Sequence, residues 1–229
     1  MQYLSHPIVS LHPSTGCIDG ILYTKYKNNA VDQKYANDKS NNLVIDIEHT
    51  LLQILDRDHL PPVWRGKFQH YEFNNKVYVM RPYAKEFLET AFKYFRVGFW
   101  SVMEETQMSF VLQKIILPLV GKKMKDIAFA FSVKEYMDCH SKTGKHKDLE
   151  YVNHRYPMFR LYRTFIIDDF IEVKKTNEHW CLDVTEFRPV TVDKQNNTLY
   201  IDEQFTTETE LQDLASWLIS FREYVVKGG

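Results

Sequence analysis

Three short apolar runs, each with polar side chains at or near its carboxyl end, constrain the fold of this chain more than any other feature. They are segments 43–47 with Asp46, 97–101 with Ser101, and 164–169 with Asp168 and Asp169. Runs of this kind are typical of strands buried on both faces of a parallel sheet. The carboxyl ends of such strands share one edge, where ligands bind, so these polar side chains are expected to meet there. A single strand-end acid could equally cap the next helix, but three polar ends in one chain favour a functional site.

Helical patterns separate the strands. After a further strand at 76–80, Pro82 is well placed to begin a helix. Apolar residues then recur at helical spacing in three groups, which are Phe87, Leu88, Ala91, Phe92 and Phe95; Met108, Val111, Leu112, Ile115 and Ile116; and Leu211, Leu214, Leu218 and Phe221. Thr207 and Glu210 form a capping-box pattern that predicts the start of the last helix. The alternation predicts an α/β domain, with three layers around a central, mostly parallel sheet.

The chain is predicted to divide into an irregular N-terminal arm, residues 1–40, and one domain over residues 41–229. The arm is polar and turn-rich without a sustained period, which favours a flexible lead-in. The net charge of −1 gives no reason to expect nucleic acid or an anionic membrane as a direct partner. No apolar run approaches the roughly 18 residues that would suggest a membrane span.

The cysteines indicate the compartment. Cys17, Cys139 and Cys181 are scattered and lack a paired spacing, which argues for a reducing environment and against a disulfide framework. An intracellular location, cytoplasmic or nuclear, is therefore expected. A mitochondrial location stays open, although the N-terminal segment contains no arginine before Arg57.

Five segments carry a resemblance to a known family. In order along the chain they are LVIDIEHTLL at 43–52, VYVMRP at 77–82, YFRVGFWSVMEETQMSFVL at 94–112, KDL at 147–149 and FIIDD at 165–169. In order and separation they resemble the motifs of the phosphatases that act on the C-terminal domain (CTD) of RNA polymerase II. These enzymes form a branch of the haloacid dehalogenase superfamily. The resemblance covers roughly residues 43–222 and implies a haloacid-dehalogenase-like (HAD-like) fold.

The resemblance implies catalytic roles that the residue types can support. Asp46 would be the nucleophile and would form an aspartyl-phosphate. Strand alternation places Glu48 on the same face as Asp46, where a general acid and base is needed. Ser101 would donate a hydrogen bond to a phosphoryl oxygen, and Lys147 would neutralise the phosphoryl charge.

The same resemblance implies a cofactor and a substrate class. Mg²⁺, a hard cation satisfied by carboxylates and waters, would be held by Asp46, Asp168 and the main-chain carbonyl of Glu48, with Asp169 also near the metal. Thr50 and Arg81 are expected to contribute to substrate binding. The expected partner is a phosphorylated protein segment carrying phosphoserine or phosphothreonine.

One departure from the family pattern keeps a second interpretation open. The motif usually has an aspartate where this chain has Glu48, and the added methylene shifts the carboxyl by about one bond length, an offset on the order of 1 Å that can lower rates ~10²-fold. The chain could therefore be a catalytically impaired relative that serves as a binding or scaffold module in a larger assembly. A small-molecule phosphatase fits less well, because segment 117–163 is short for a lid domain.

Overall fold

The computed structural model describes residues 41–57, 66–193 and 198–226, so the predicted arm at 1–40 lies outside the described residues. In chain order the strands are β1 (Asn42–Ile45), β2 (Leu52–Asp56), β3 (His70–Phe73), β4 (Lys76–Met80), β5 (Arg96–Trp100), β6 (Ala130–Phe131), β7 (Thr164–Asp168), β8 (Cys181–Asp183), β9 (Val190–Asp193) and β10 (Thr198–Ile201). The helices are α1 (Ala84–Tyr94), α2 (Glu105–Val111), α3 (Leu117–Leu119), α4 (Val133–Thr143), α5 (Leu149–Arg155), α6 (Ile171–Thr176) and α7 (Glu210–Val226). A π-helical stretch, Leu112–Ile116, joins α2 to α3.

A five-stranded sheet forms the centre of the domain, in the order β6-β5-β1-β7-β8. All four neighbouring pairs are parallel. The central strand β1 aligns Ile45 with Phe99 of β5 on one side and with Ile167 of β7 on the other. Asp46 and Asp168, which follow Ile45 and Ile167, therefore lie at one level of the carboxyl edge, and Ser101 lies one residue beyond that level after β5. The α/β class with a central parallel sheet is confirmed.

Helices cover both faces of this sheet. On one face, Leu43 and Ile45 pack into a core with residues of α1, α2 and α7. On the other, Val44 joins Trp100 and Ile166 in a second core with residues of α4, α5 and α6. Alternate side chains of a strand point to opposite faces, so a strand covered on both sides must be apolar throughout. This burial is why β1, β5 and β7 read as continuous apolar runs.

A smaller antiparallel sheet, β2-β4-β3, leaves the main sheet just after the carboxyl end of β1. Gln53 fixes it to the β9–β10 hairpin. The side-chain Nε2 of Gln53 donates to the Val190 carbonyl over 2.8 Å, and its Oε1 accepts from the backbone amide of Val190 over 3.2 Å. Phe68, Val77, Val79 and Phe187 form its own small apolar core. This sheet anchors the loop that follows Asp46.

Two local predictions need correction. The run at 43–47 ends as a strand at Ile45, because the amides of Leu51 and Leu52 both turn back to the Ile47 carbonyl. The predicted capping box of Thr207 and Glu210 is wrong. The helix begins at Glu210, whose carboxylate accepts instead from the amide and hydroxyl of Thr185 and pairs with Arg81.

None of the helices in the described ranges combines the length and the apolar character needed to cross a membrane.

Candidate active site

The carboxyl edge of the central sheet brings four predicted site residues together. Asp46 follows β1, Ser101 follows β5, and Asp168 and Asp169 lie at the end of β7. Asp46, Ser101 and Asp168 are buried and Asp169 is partly exposed. The Asp46 amide still donates to the Ile167 carbonyl over 3.0 Å, so the backbone of Asp46 is held against β7.

Lys147 places a buried cation among these carboxylates. Its Nζ lies 2.8 Å from Asp46 Oδ1 and 2.7 Å from Asp168 Oδ2. The residue lies in the α4–α5 loop with a left-handed φ of 43°. Asn177 holds this loop, because its Nδ2 donates to the Lys147 carbonyl and its Oδ1 accepts from the Leu149 amide, each over 3.1 Å. The backbone around Lys147 is thereby fixed in an unfavourable conformation that extends the ammonium into the site.

The charges of the site are unbalanced. Burial raises the pKa of the Asp46 carboxyl well above its usual range, and Asp168 and Asp169 raise it further, while Lys147 opposes the shift. Burial and Asp168 likewise raise the pKa of Asp169. Burial disfavours the charge on Lys147, but Asp168 and Asp46 outweigh it and raise its pKa, so the ammonium stays protonated. One cation thus faces three carboxylates, an arrangement that a divalent cation would balance.

The three aspartates have the composition and spacing of a metal site. One oxygen from each of Asp46, Asp168 and Asp169 lies within 4.8 Å of the others. Asp46 Oδ1 is buried and, apart from its ion pair with Lys147, makes no hydrogen bond of good geometry. An all-oxygen set with an unsatisfied carboxylate oxygen fits a hard cation such as Mg²⁺.

Neighbouring groups orient two of these aspartates. The Thr50 hydroxyl donates to Asp169 Oδ1 over 2.9 Å. The Phe170 amide donates to Asp168 Oδ1, also over 2.9 Å, which leaves Asp168 Oδ2 for Lys147. Thr50 therefore contacts Asp169 and helps to orient its carboxylate within the aspartate cluster. A direct contact between Thr50 and substrate stays a prediction.

Glu48 lies on the loop after β1, partly exposed and bridged through its backbone to Leu52. Within the described ranges its carboxyl makes no hydrogen bond or ion pair, and it is outside the aspartate cluster. The next residue, His49, has a left-handed φ of 63°. Phe187 holds it there, because the Phe187 amide donates to the His49 carbonyl over 2.7 Å and His49 Nδ1 lies 3.3 Å from the Phe187 carbonyl. The backbone at His49 is therefore fixed next to the Glu48 carboxyl, which has no polar partner among the described residues.

Arg81 is placed differently from the other candidates. Its side chain is fully buried and forms ion pairs with Glu208 and Glu210 at the start of α7. A third contact runs to the site, because Nη1 donates to the Thr50 carbonyl over 3.2 Å. Arg81 therefore supports the loop that carries Thr50. Its contact with substrate stays a prediction.

Sequence reasoning missed Asn177 and Phe187, which hold Lys147 and His49 in place. Both act across large separations in the chain, over 30 residues for Asn177 and 138 for Phe187. No local pattern marks such contacts. Ser101 was found from its strand end, and its Oγ accepts from the Met103 amide over 3.4 Å.

Comparison with known proteins agrees with this geometry. Residues 41–223 match the NLI interacting factor-like phosphatases. The CTD phosphatase-like protein 355R of Invertebrate iridescent virus 6 is 28% identical over 155 residues, covering 64% of this chain and 85% of the viral protein. A protein of the same name from Invertebrate iridescent virus 3 is 25% identical over 185 residues, covering 76% and 98%.

Two solved structures of the RNA polymerase II CTD phosphatase Fcp1 show the same fold. The fission yeast protein with bound beryllium fluoride has a TM-score of 0.51 at 16% identity and covers 69% of this chain. A second Fcp1 structure has a TM-score of 0.52 at 16% identity and covers 87%. The chain spans 44% and 55% of those two proteins, about half of their length.

The parallel sheet with aspartates and a lysine at its carboxyl edge defines a phosphatase-type domain of the haloacid dehalogenase superfamily. Since the family match extends over most of the chain, the chain belongs to the NLI interacting factor-like phosphatases. The resemblance inferred from the five motifs is confirmed.

Proposed function

We propose that this protein hydrolyses phosphoserine or phosphothreonine on protein substrates, with Mg²⁺ and through an aspartyl-phosphate. The observation that carries the proposal is the position of Lys147 Nζ, 2.8 Å from Asp46 and 2.7 Å from Asp168, at the edge where three strands end. A phosphoryl group that enters this edge meets the ammonium and the Asp46 carboxylate together. That arrangement suits phosphoryl transfer to a carboxylate, which depends on positioning and charge neutralisation.

The first step is attack by a carboxylate oxygen of Asp46 on phosphorus. A P–O bond to Asp46 forms while the P–O bond to the serine or threonine oxygen breaks. Glu48, on the exposed side of the same loop, gives its proton to the leaving oxygen. Lys147 and the Ser101 hydroxyl stabilise the charge on the phosphoryl oxygens.

The second step is hydrolysis of the aspartyl-phosphate. Glu48, now a carboxylate, removes a proton from the attacking water, and the P–O bond to Asp46 breaks to release phosphate. Asp46, Asp168 and Asp169 are the residues that would hold Mg²⁺, with the Glu48 carbonyl as a further ligand. When bound, the cation supplies further neutralisation of the phosphoryl charge.

The surroundings of the site favour a protein substrate over a small molecule. In the described structure, segment 117–163 supplies β6, α4 and α5 to the main domain. β6 pairs with β5, and Cys139 of α4 and Val152 of α5 are buried in the core beneath the sheet. A segment committed to the core in this way does not serve as a lid, and a site that this segment does not cover suits an extended phosphopeptide.

Glu48 supports a second proposal, a binding module that retains the fold with little turnover. Its carboxyl makes no hydrogen bond or ion pair with described residues, so no polar contact among them fixes the longer side chain in a catalytic position. Such a module would bind a phosphorylated segment within a larger assembly. The persistence of Asp46, Lys147 and Asp168 in contact favours the enzymatic proposal.

Single-turnover phosphate release from a phosphoserine peptide with Mg²⁺ tests these proposals, with Asp46→Asn and Glu48→Asp as variants. Release by the wild type that disappears in Asp46→Asn supports the phosphatase. Activity present only in Glu48→Asp supports the binding module. If neither the wild type nor any variant releases phosphate from varied phosphopeptides, the enzymatic proposal is contradicted.

We also propose an intracellular, reducing compartment, the cytoplasm or the nucleus. The support is that Cys139 and Cys181 are free thiols inside the core. Buried free thiols are common where disulfides do not form.

A further inference from the structure

A set of rings borders the candidate active site and has no part in the proposed chemistry. It consists of Phe170, His146, His140 and Tyr136, which we call the aromatic rim. The Phe170 and His146 rings are perpendicular with centroids 5.5 Å apart, and His146 and His140 are 4.9 Å apart. The Tyr136 hydroxyl lies 2.6 Å from His146 Nδ1, which joins the fourth ring to the set.

The rim is continuous with the site through the backbone. Phe170 directly follows Asp169, and its amide holds Asp168. His146 directly precedes Lys147. An extended peptide whose phosphoryl group reaches Lys147 advances about 3.5 Å per residue, so a peptide that runs toward His146 and Phe170 places a residue one or two positions away over this border.

The rim exposes apolar surface where a soluble protein would ordinarily present polar groups. Phe170 is 46% exposed and its neighbour Ile171 is 53% exposed. Exposed large apolar side chains grouped beside a site mark a binding surface more often than isolated ones do. Phe170 directly precedes α6, and Ile171 is the first residue of that helix.

The charges around the rim favour an apolar occupant over an acidic one. Lys145 pairs with Asp148 over 3.1 Å. On α6, Lys174 pairs with Asp183 over 2.5 Å and Lys175 pairs with Glu172 over 2.7 Å. These three lysines already have carboxylate partners, so an acidic flanking residue would gain little from them.

We propose that the aromatic rim, with Ile171, binds an aromatic or aliphatic side chain within two residues of the phosphorylated residue. This inference rests on the proposed function, because it takes the phosphoryl group to lie at Lys147. It assigns the substrate class more narrowly, as phosphorylated segments with an apolar residue close to the phosphate.

Binding of phosphoserine peptides to full-length Asp46→Asn tests the inference without requiring turnover. The peptides carry one Phe at −2, −1, +1 or +2 in a Gly/Ser background, and a peptide without Phe is the reference. We expect about ten-fold tighter binding for at least one Phe position. That gain should fall to less than about three-fold when Phe170→Ser or Ile171→Ser is added.

Met158→Ser is the matched control, since Met158 is 50% exposed and lies at the opposite edge, where its carbonyl accepts from Nδ2 of the Asn42 side chain. The Phe preference should survive in this variant. Equal affinity for all peptides, or a preference that persists in both Phe170→Ser and Ile171→Ser, overturns the inference. A Phe preference lost in the rim variants while the wild type hydrolyses none of the peptides supports the rim and removes only the enzymatic proposal.

Discussion

Lys147 Nζ and Asp168 Oδ2 form a buried ion pair 2.7 Å long, and the same ammonium lies 2.8 Å from Asp46. Replacing Lys147 by Met keeps an unbranched side chain, shorter by one heavy atom, and removes the charge that offsets the carboxylates. Breaking a buried pair in this way lowers the free energy of unfolding by about 3–5 kcal/mol. Urea denaturation at pH 7 without Mg²⁺ measures the loss.

The pH dependence of Lys147→Met provides a further check. Burial and the neighbouring aspartates raise the pKa of Asp46 in the folded protein. The folded state therefore keeps a proton on Asp46 at pH values where the unfolded state has lost it. The stability that this proton contributes is present below the unfolded-state pKa of Asp46 and is lost as the pH rises through its higher folded-state pKa. Lys85→Met, at an exposed pair with Glu89, is the control and should change stability by at most about 1 kcal/mol. A Lys147→Met protein as stable as the wild type at pH 7 contradicts the ion-pair argument.

Substitution of Thr50 tests whether its hydroxyl, which donates to Asp169 over 2.9 Å, supports the metal site. Thr50→Val keeps the shape of this fully buried side chain but removes the donor. Loss of such a supporting hydrogen bond typically weakens metal binding about 10–100-fold. Calorimetric titration with Mg²⁺ measures the change. Thr50→Ser, which keeps the hydroxyl, should bind more like the wild type, and equal affinity in Thr50→Val would show that Asp169 needs no such support.

Substitution of Arg81 tests which role this residue has, support of a buried ionic cluster or contact with substrate. Its guanidinium pairs with Glu208 and Glu210, so Arg81→Met leaves two poorly solvated carboxylates. We expect the free energy of unfolding to fall by about 3–5 kcal/mol. Adding Glu208→Gln and Glu210→Gln should recover part of that loss, which denaturation of the single and combined variants measures.

The combined Arg81 variant also separates the two roles kinetically. If Arg81 acts only by supporting the Thr50 loop, KM for a phosphopeptide should return toward the wild-type value as stability returns. A KM that stays high in the stability-restored protein would instead support the predicted substrate contact.

Strands β1, β5 and β7 could be predicted from the sequence because burial on both faces makes them continuously apolar. The strands β2 and β3 could not, since only part of each is covered by other residues and their patterns are mixed. β6 has two residues, Ala130 and Phe131, too few for any period to show. Length and two-sided burial thus decide which strands leave a signal in the sequence.

The same distinction applies to the site. Asp46, Ser101 and Asp168 could be predicted to meet because each follows an apolar strand. Lys147 lies on a loop, so only its motif indicated it. The start of α7 was misplaced because Glu210 has the right spacing for a capping box, but its carboxylate is engaged by Arg81, 129 residues away in the chain. A buried cation in the tertiary structure overrides a local capping preference.

Gly98, on β5, tests how tightly the second core is packed beneath the site. A Cβ added there would lie 2.4 Å from Cζ of the Phe129 ring, which is held among Phe131, Tyr156 and Phe159. Gly98→Ala should therefore destabilise the protein by about 1–3 kcal/mol, because the ring must move or the strand must shift. Thermal unfolding measures the effect.

The added change Phe129→Leu makes room for the methyl group, so it should destabilise Gly98→Ala less than it destabilises the wild type. Gly66→Ala has no atom within 4 Å of the new Cβ and serves as the control. If Gly98→Ala melts with the wild type, the strand and ring can separate at little cost, and the packing beneath Ser101 is looser than the contact implies.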